Sequence, residues 1–600
     1  MTGELDPPAN PLIQPQFCAR FNDLDNIGLT GRHYSGFVML GIQVFNYPSD
    51  FKFFKEECVE FNFNWLTEGL GIPKEEITFV EDVWAGGGNM GPSIEYFVRG
   101  LEVGNMVFMQ YKTFPDGSRE ELKIKVIDTG IGLERIPWLM NGNATSYMIV
   151  FKNAYEYLTS ALELSVNQDI WKDFGPYSSQ LDVDEAEDIN KTWQQISELI
   201  GKDLHEVKKE ISPIKDMFII LDHTRTVMIT IIDGSLPSNV GGGGNVRNIL
   251  RRTFAILHKN KWWDKLGQME GFLKVFDCHK KDLQGIFGEF KEYKSFNEII
   301  EVEYDRWMNT DDTMKKNLEK LLKKRNGVLT LDDWDLCMGS YGIPADTISA
   351  ISGIEIPPNL YYYIAEKKEK LTKPPALVLY DTTHLDETEN LYYKNHHMYE
   401  FDASITDIFL NITDENKQNI VILDKSAFYP TSGGQQNDVG KMTIDGKEYE
   451  VVNVEKVGRS VLHIVEPPLE GDKESYIGKA VTATVDEERR SQLRSNHTGT
   501  HIVFAACRKV LGPHVWQNGA KKTLEMAHLD ITHYKSLSRE QELEVENAAN
   551  RIIFQSRKIN KYMMNKSEAE KQYGFSLYQG GIVPGNELRI VNIDGIDTEA

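Results

Sequence analysis

The apolar positions change their period along the chain, and each change predicts a different kind of element. Over residues 1–150 short runs rich in β-branched and aromatic residues, among them Glu102 through Tyr111 and Leu122 through Val126, alternate with glycine-rich turns. That pattern predicts an antiparallel sheet with helices packed on it. From about Thr145 to Pro374 apolar residues recur at three- and four-residue steps among many Glu and Lys, as in Asp184–Ile211 and Thr313–Arg325, which predicts a helical domain. Beyond Lys373-Pro374-Pro375 short alternating runs return, such as Asn419–Leu423 and Ala480–Val485, and predict a β-barrel-like module. Helical spacing resumes around His497 and over Ser538–Ser556. The expectation is a multidomain α+β chain: a sheet core over 1–150, a helical region over 151–385, a barrel over 386–485 and an α+β unit over 486–600.

Composition narrows the class. A chain of 600 residues is too long for one core. With 66 Lys+Arg against 90 Asp+Glu it carries a formal net charge of -24, which repels a polyanion as a whole but leaves room for a local basic face. The 5 cysteines (Cys18, Cys58, Cys278, Cys337, Cys507) are scattered without a CxxC pair, which argues against a disulfide framework or a zinc ribbon. No apolar run reaches the roughly 18 residues of a spanning helix, and the polar, proline-rich start lacks the regions of a signal peptide. The expected location is cytoplasmic.

Chemistry concentrates in a few places. His497-Thr-Gly-Thr-His501 lies in a helical stretch, and positions i and i+4 bring two imidazoles onto one face, a spacing that zinc accepts. The absence of Glu beside His497 argues against a zinc protease; taken alone, the pair also reads as two ordinary histidines. Cys18 through His33 packs Arg20, Asn22, Asp23, Asp25, Asn26, Arg32 and His33 into a strand, a loop and a returning strand. An arginine there can clamp a phosphate, or the segment is a solvated hairpin. In Asp128-Thr-Gly130-Ile-Gly132-Leu-Glu134-Arg135 two glycines let a strand turn into a helix and a ligand approach the backbone, but the third glycine of a dinucleotide fingerprint is missing.

Together these two clusters resemble the ATP-binding signatures of class II aminoacyl-tRNA synthetases, in the wording of the archaeal alanyl-tRNA synthetase family. Trp84-Ala-Gly-Gly-Gly-Asn89 and Glu102-Val-Gly-Asn105 resemble that family's amino-acid pocket, and the resemblance continues through the whole chain. It implies an antiparallel class II core in which Arg20 holds the α-phosphate of ATP and Arg135 the terminal phosphates. Asn22, Asp23, Arg32, His33, Gly130 and Gly132 complete the nucleotide site, and Mg2+ offsets the remaining charge. Asp128 is implied to pair with the alanine ammonium while Trp84 and Asn105 shape a pocket for a methyl group, so Arg20, Asp128 and Arg135 become the catalytic candidates. Such a pocket separates alanine from glycine or serine by only ~1–3 kcal/mol, and a second, hydrolytic site is then required.

The helical region resembles the family's tRNA-recognition domain at Asp222-His223-Thr224-Arg225-Thr226, at Asp233 through Asn239 and at Arg247 through Arg252. Asn239, Arg247, Arg251 and Arg252 are the implied contacts to tRNA(Ala), the arginines forming either a local positive strip or a solvated helix face. Gly339 stands where the family has an aspartate that reads the acceptor-stem G·U pair with Asn239, and Val38 stands where most relatives have Glu. Ser426 through Gly440 resembles the glycine-rich signature of the family's editing region, and His497 and His501 match its first two zinc ligands. Gln517-Asn-Gly519, Asp530 through His533, Tyr573-Gly-Phe575 and Gly580-Gly581-Ile-Val-Pro584-Gly585 continue the match. The other two Zn2+ ligands are expected beyond Ala600, as is a C-terminal domain through which a homodimer would form. Nineteen residues precede Arg20, fewer than in the family, which suggests a fragment or a late start.

The implied activity is alanine-tRNA ligation with clearance of seryl- and glycyl-tRNA(Ala). Two rivals are an editing-only deacylase and a non-catalytic tRNA-binding relative. A pure hydrolase has no use for Arg20, Asp128 and Arg135.

Overall fold

The computed structural model describes residues 7–114, 117–182, 188–239, 241–291, 293–370, 381–382, 384–410, 419–579, 581, 583 and 586–600. The expected boundary at Lys373–Pro375 and the Gly580, Ile582, Pro584 and Gly585 positions lie outside them. The chain forms two compact units, Met1–Thr372 and Lys373–Ala600. The first of these holds both the sheet expected over 1–150 and the helices expected after it.

Six antiparallel strands carry the first unit: β1 (Leu12–Ala19), β2 (Gly36–Asn46), β3 (Ile77–Gly86), β4 (Asn89–Val98), β5 (Leu101–Thr113) and β6 (Arg119–Gly132), in the order β1-β2-β6-β5-β4-β3. Side chains alternate across a strand, so each strand serves two environments. Val44, Ile127, Ile131, Met106 and Phe108 point to one face and form a core with Cys58 and Leu66. On the opposite face Gln43 pairs with Asp128, which pairs with Val107, and Gly41 pairs with Gly130, which pairs with Asn105. The core face fixes the register, since a one-residue slip would bury Asp128 and expose Ile127.

Helix Leu204–Ile232 begins on an Asp203 cap whose carboxylate accepts the His205 and Glu206 amides. It is buried along most of its length. Tyr147, Trp171 and Phe174 pack beside it, with the Tyr147 and Phe218 rings 4.9 Å apart. Helices Gly241–Lys259, Gln268–Phe287 and Phe296–Lys324 complete this layer.

In the second unit a closed six-stranded barrel runs in the order Gly440–Ile444, Lys447–Val457, Ser460–Glu466, Asn419–Leu423, Glu400–Phe409, Ala480–Val485. Period-two alternation builds it: Phe401, Ala403 and Ile405 point inward, as do Val481, Ala483 and Val485. Closure pairs the backbone that an open sheet would leave at its edges. Helix Glu487–Leu511 is tied to this part of the unit by buried Arg490, whose Nε donates to both Asp438 oxygens at 3.1 and 2.9 Å. Hairpin Gln517–Lys522/Ala527–Ile531 follows, then helix Arg539–Phe554, capped by Ser538, and a sheet of Ile559–Asn565, Glu587–Ile593 and Asp597–Glu599. Among the described residues no helix is long and apolar enough to cross a membrane.

Candidate active site

The polar face of the six-stranded sheet floors a cleft of about 830 Å³. Arg20, Asp23, Arg32, His33, Trp84, Asn105, Asp128, Gly130, Gly132 and Arg135 all line it, although they come from separate stretches of sequence. Asn22 is exposed and stands outside this lining. Gly41 and Gly130, neighbours across β2 and β6, keep the floor low; a Cβ on Gly41 would stand 2.6 Å from Gln43 Nε2. Gln43 holds Asp128 in place, Nε2 donating to its Oδ1 at 2.8 Å. The buried Asn105 Oδ1 has no hydrogen-bond partner and is free to accept from a ligand.

Each guanidinium of the cleft has an acidic neighbour. Arg20 Nε lies 2.8 Å from Asp23 Oδ2, Arg32 Nη2 lies 3.7 Å from Asp182 Oδ2, and Arg135 Nη1 donates to Glu102 Oε2 at 2.8 Å. Such part-exposed pairs are weak and exchange readily for a polyanion. Burial lowers the His33 imidazole against the opposing influence of Asp182, whose Oδ2 lies 3.4 Å from Nε2. Asp182 also accepts from Asn26 Nδ2 at 2.8 Å.

Behind the cleft lies a layer that sequence reasoning placed elsewhere. Asp222 through Thr226, read as RNA-facing, is at most 1% exposed, with Asp222, Arg225 and Thr226 turned towards the start of β2 and Thr224 towards His279. Asp222 Oδ1 accepts the Ser35 amide at 2.9 Å and Oδ2 accepts the Ser35 hydroxyl; Thr226 Oγ1 lies 2.8 Å from that same hydroxyl. Arg225 Nη1 lies 3.2 Å from Glu134 Oε1, which also accepts the Val38 amide at 2.8 Å. Arg225 Nη2 donates to the Gly36 carbonyl, and its guanidinium sits 4.5 Å from the centre of the Phe151 ring. Burial raises the Glu134 carboxyl while Arg225 pulls it back down. The turn that carries Arg135 is thus anchored to the start of β2 through one buried ion pair. A polar run between the apolar Met217–Leu221 and the mostly apolar Val227–Ile232 was the available signal, since polar residues in a buried part of a helix must find buried partners.

The expected arginine strip is not a free positive face. Arg252 is 5% exposed, with its Nε 3.4 Å from Asp346 Oδ2 and its guanidinium over the Tyr361 ring, so it packs the core and presents no surface to RNA. Arg247, Arg251 and Arg306 converge on Glu303, itself 1% exposed. Arg247 reaches onward to the exposed Asn239, donating to its Oδ1 at 2.5 Å and to the Pro237 carbonyl at 3.0 Å. Arg251 donates to the Gly342 carbonyl at 3.1 Å. One buried carboxylate therefore holds both the Asn239 loop and the segment after Gly339. At Gly339 the nearest atom to a Cβ would be Asp335 Oδ1, 3.9 Å away.

In the second unit His497 and His501 stack on successive turns, ring centres 5.1 Å apart. His497 Nδ1 meets Gln435 Oε1 at 2.9 Å and His501 Nδ1 meets Glu599 Oε2 at 2.9 Å. With both Nδ1 atoms engaged by oxygen partners, Nε2 is the ring nitrogen that each histidine has left to offer a ligand. Burial, then the Lys522 ammonium, push His497 down to about 3, so its imidazole is neutral and able to ligate. His501, Asp597 and Glu599 place ligand atoms within 4.8 Å of one another. Gly434 seats the loop before Gln435, where a Cβ would fall 2.1 Å from the Ala520 carbonyl and φ is +74°.

A family model described as tRNA synthetases class II (A) matches residues 1–489. Among curated proteins the chain is similar to the alanine-tRNA ligases of Methanocella arvoryzae (39% identical over 600 residues), Methanobrevibacter smithii (35% over 610) and Pyrococcus furiosus (36% over 626). All of this chain is covered in each comparison, and it spans 66% of the length of each relative.

Proposed function

Because the chain belongs to the class II (A) tRNA synthetases, we propose that its first unit activates alanine with ATP and transfers it to the terminal adenosine of tRNA(Ala), in the cytoplasm. The similarity to alanine-tRNA ligases supports this reading. The observation that carries it is the single cleft in which Arg20, Arg32 and Arg135 surround a glycine-floored sheet face with Asp128 on it. Arg20 and Arg135 turn from Asp23 and Glu102 to the triphosphate, where their donors meet the charge that builds up as the alanine carboxylate attacks the α-phosphorus. Asp128, held by Gln43, takes the alanine ammonium; Asn105 Oδ1 accepts a further N–H, and Trp84 limits the side chain. Mg2+, when bound, would neutralise phosphate charge, and Glu102, once released by Arg135, would be a hard oxygen donor able to hold it. Asn239, presented by Arg247, is the proposed contact to the acceptor stem.

In the second unit His497 and His501 would hold a Zn2+ ion through their Nε2 atoms, with Asp597 near His501 as an oxygen donor at hand. When bound there, zinc would polarise the substrate's ester carbonyl and activate a water. The chain's own residues hold the imidazoles in one tautomer through Gln435 and Glu599. This site is proposed to hydrolyse seryl- and glycyl-tRNA(Ala).

Alanine-dependent ATP–pyrophosphate exchange tests the first assignment, with serine, glycine and no amino acid as comparisons. Exchange with alanine that Asp128→Ala abolishes is the expected result; exchange unaffected by Asp128→Ala overturns it. For the second unit, His497→Ala should leave exchange intact while lowering bound zinc and deacylation of seryl-tRNA, and unchanged zinc content would remove the metal assignment.

A further inference from the structure

Helix Glu487–Leu511 places Arg494, Thr498 and His501 along one stripe at i, i+4 and i+7. All three line a second cavity, of about 290 Å³, together with His396, Lys561 and Glu599. Its polar walls are unequal. At the His501 end the Glu599 carboxylate is committed to the His501 ring, 2.9 Å away. At the other end stand two cations, Arg494 and Lys561, beside the His396 ring, with Arg589 behind them. Met563, two residues beyond Lys561 on its strand, pairs with Arg589 across the sheet, which makes Lys561 and Arg589 diagonal neighbours on one face. Among the described residues neither Arg494 nor Lys561 forms an ion pair, and Arg494 Nη1 is buried without a hydrogen-bond partner. A buried guanidinium donor is almost always satisfied, so an orphan aimed at a cavity implies an acceptor that arrives from outside.

We propose that this cavity is a phosphate-binding pocket for the 3′-terminal single strand of an RNA, gripping a phosphodiester with Arg494 and Lys561 while the adjoining ribose end reaches His497 and His501. The proposal deepens the hydrolytic reading of this unit and rests on it for the identity of the RNA. Mutual repulsion supports the clustering: burial, then Arg589 and Arg494, lower the Lys561 ammonium, and burial, then Lys561 and Arg494, push His396 down to about 4. Groups that repel one another in the free protein bind an anion more tightly, because the anion relieves the repulsion. The guanidinium fork suits a phosphate oxygen pair, and exposed Lys561 adds a point charge at the rim.

The test uses the whole chain, a short fluorescent single-stranded RNA with a free 3′ hydroxyl, and anisotropy titrations at several salt concentrations. Arg494→Ala should weaken binding roughly tenfold and reduce the slope of log affinity against log salt by about 0.7, the value of one phosphate contact on a single strand. Lys561→Ala, at an exposed position that cannot unfold the unit, should do the same to a smaller extent. Two seryl esters separate this pocket from the hydrolytic reading: a seryl-RNA, and 3′-O-seryl-adenosine, which carries no phosphate. Arg494→Ala should lower kcat/KM for the first and leave the second unchanged. Equal losses on both esters, or RNA binding and salt slope unchanged in both variants, overturn the pocket. Hydrolysis of neither ester by the parent chain overturns the hydrolytic reading alone, and the anisotropy result then stands by itself. Displacement of the RNA by inorganic phosphate at matched phosphate concentration would make the ligand a free phosphate and overturn the RNA assignment.

Discussion

Arg225→Met isolates the ion pair that anchors the Arg135 turn. The Arg225 and Glu134 side chains are only 2% and 6% exposed, so solvent screens their interaction little. Methionine fills most of the volume of the lost stem, and the cavity penalty is small. What remains is a carboxylate in the interior that keeps only backbone partners, the Val38 and Glu134 amides, and removing one member of a buried pair typically costs ~3–5 kcal/mol. Against a domain stability of roughly 5–15 kcal/mol, this should lower the melting temperature of the first unit by several degrees in calorimetry. The effect has a pH signature. Without Arg225 the Glu134 carboxyl, already raised by burial, rises further, so the folded state holds a proton that the unfolded chain releases above a pKa of about 4.3. Stability of the variant then falls as pH rises through the window between these two values, and acidification should recover part of the loss relative to the parent. The double variant Arg225→Met/Glu134→Gln should also recover part of it at neutral pH. Alanine activation should drop in Arg225→Met because Arg135 loses its anchored turn. A single variant that melts with the parent, or a double variant no better than the single, would falsify the reasoning.

Three further outcomes follow from the same geometry. Gly36→Ala places a Cβ 2.5 Å from Thr226 Oγ1 and 2.6 Å from the Phe17 ring; it should destabilise the first unit by ~1–3 kcal/mol in denaturant titration, through overpacking. Glu303→Gln leaves Arg247, Arg251 and Arg306 without their shared carboxylate, so filter binding should show weaker tRNA affinity while alanine-dependent pyrophosphate exchange is retained. His463 is fully buried, bonded to Ser426 Oγ at 2.8 Å and to the Val421 carbonyl at 2.9 Å, and burial pushes it down to about 4. The unfolded chain takes up that proton below about 6.5 and the barrel does not, so stability is lost as pH falls between these values, by about 2 kcal/mol at pH 5. His463→Gln should flatten that slope in chemical denaturation at pH 7 and pH 5.

Local pattern alone determined a good deal of this protein. Alternation in Ala480–Val485, helical spacing around His497 and the glycines that end β6 are written within a few residues of where they act. Period and steric freedom are short-range properties, and no distant residue is needed to read them. The Arg20 and Asp128 clusters stood out for a related reason: each packs charged residues and glycines into one short stretch. What only the tertiary structure decided is where charge ends up. Arg252 and Arg225 carry the same charge as Arg20, yet folding sets them against Asp346 and Glu134, at sequence separations that no local pattern encodes. Gln43 meets Asp128 across two strands, Glu303 gathers arginines from a helix some fifty residues earlier, and Arg494 Nη1 has no hydrogen-bond partner among the described residues beside a cavity. A charged side chain reads alike in sequence whether it faces water, a buried partner or a ligand; desolvation separates these cases, and it is a property of the assembled fold.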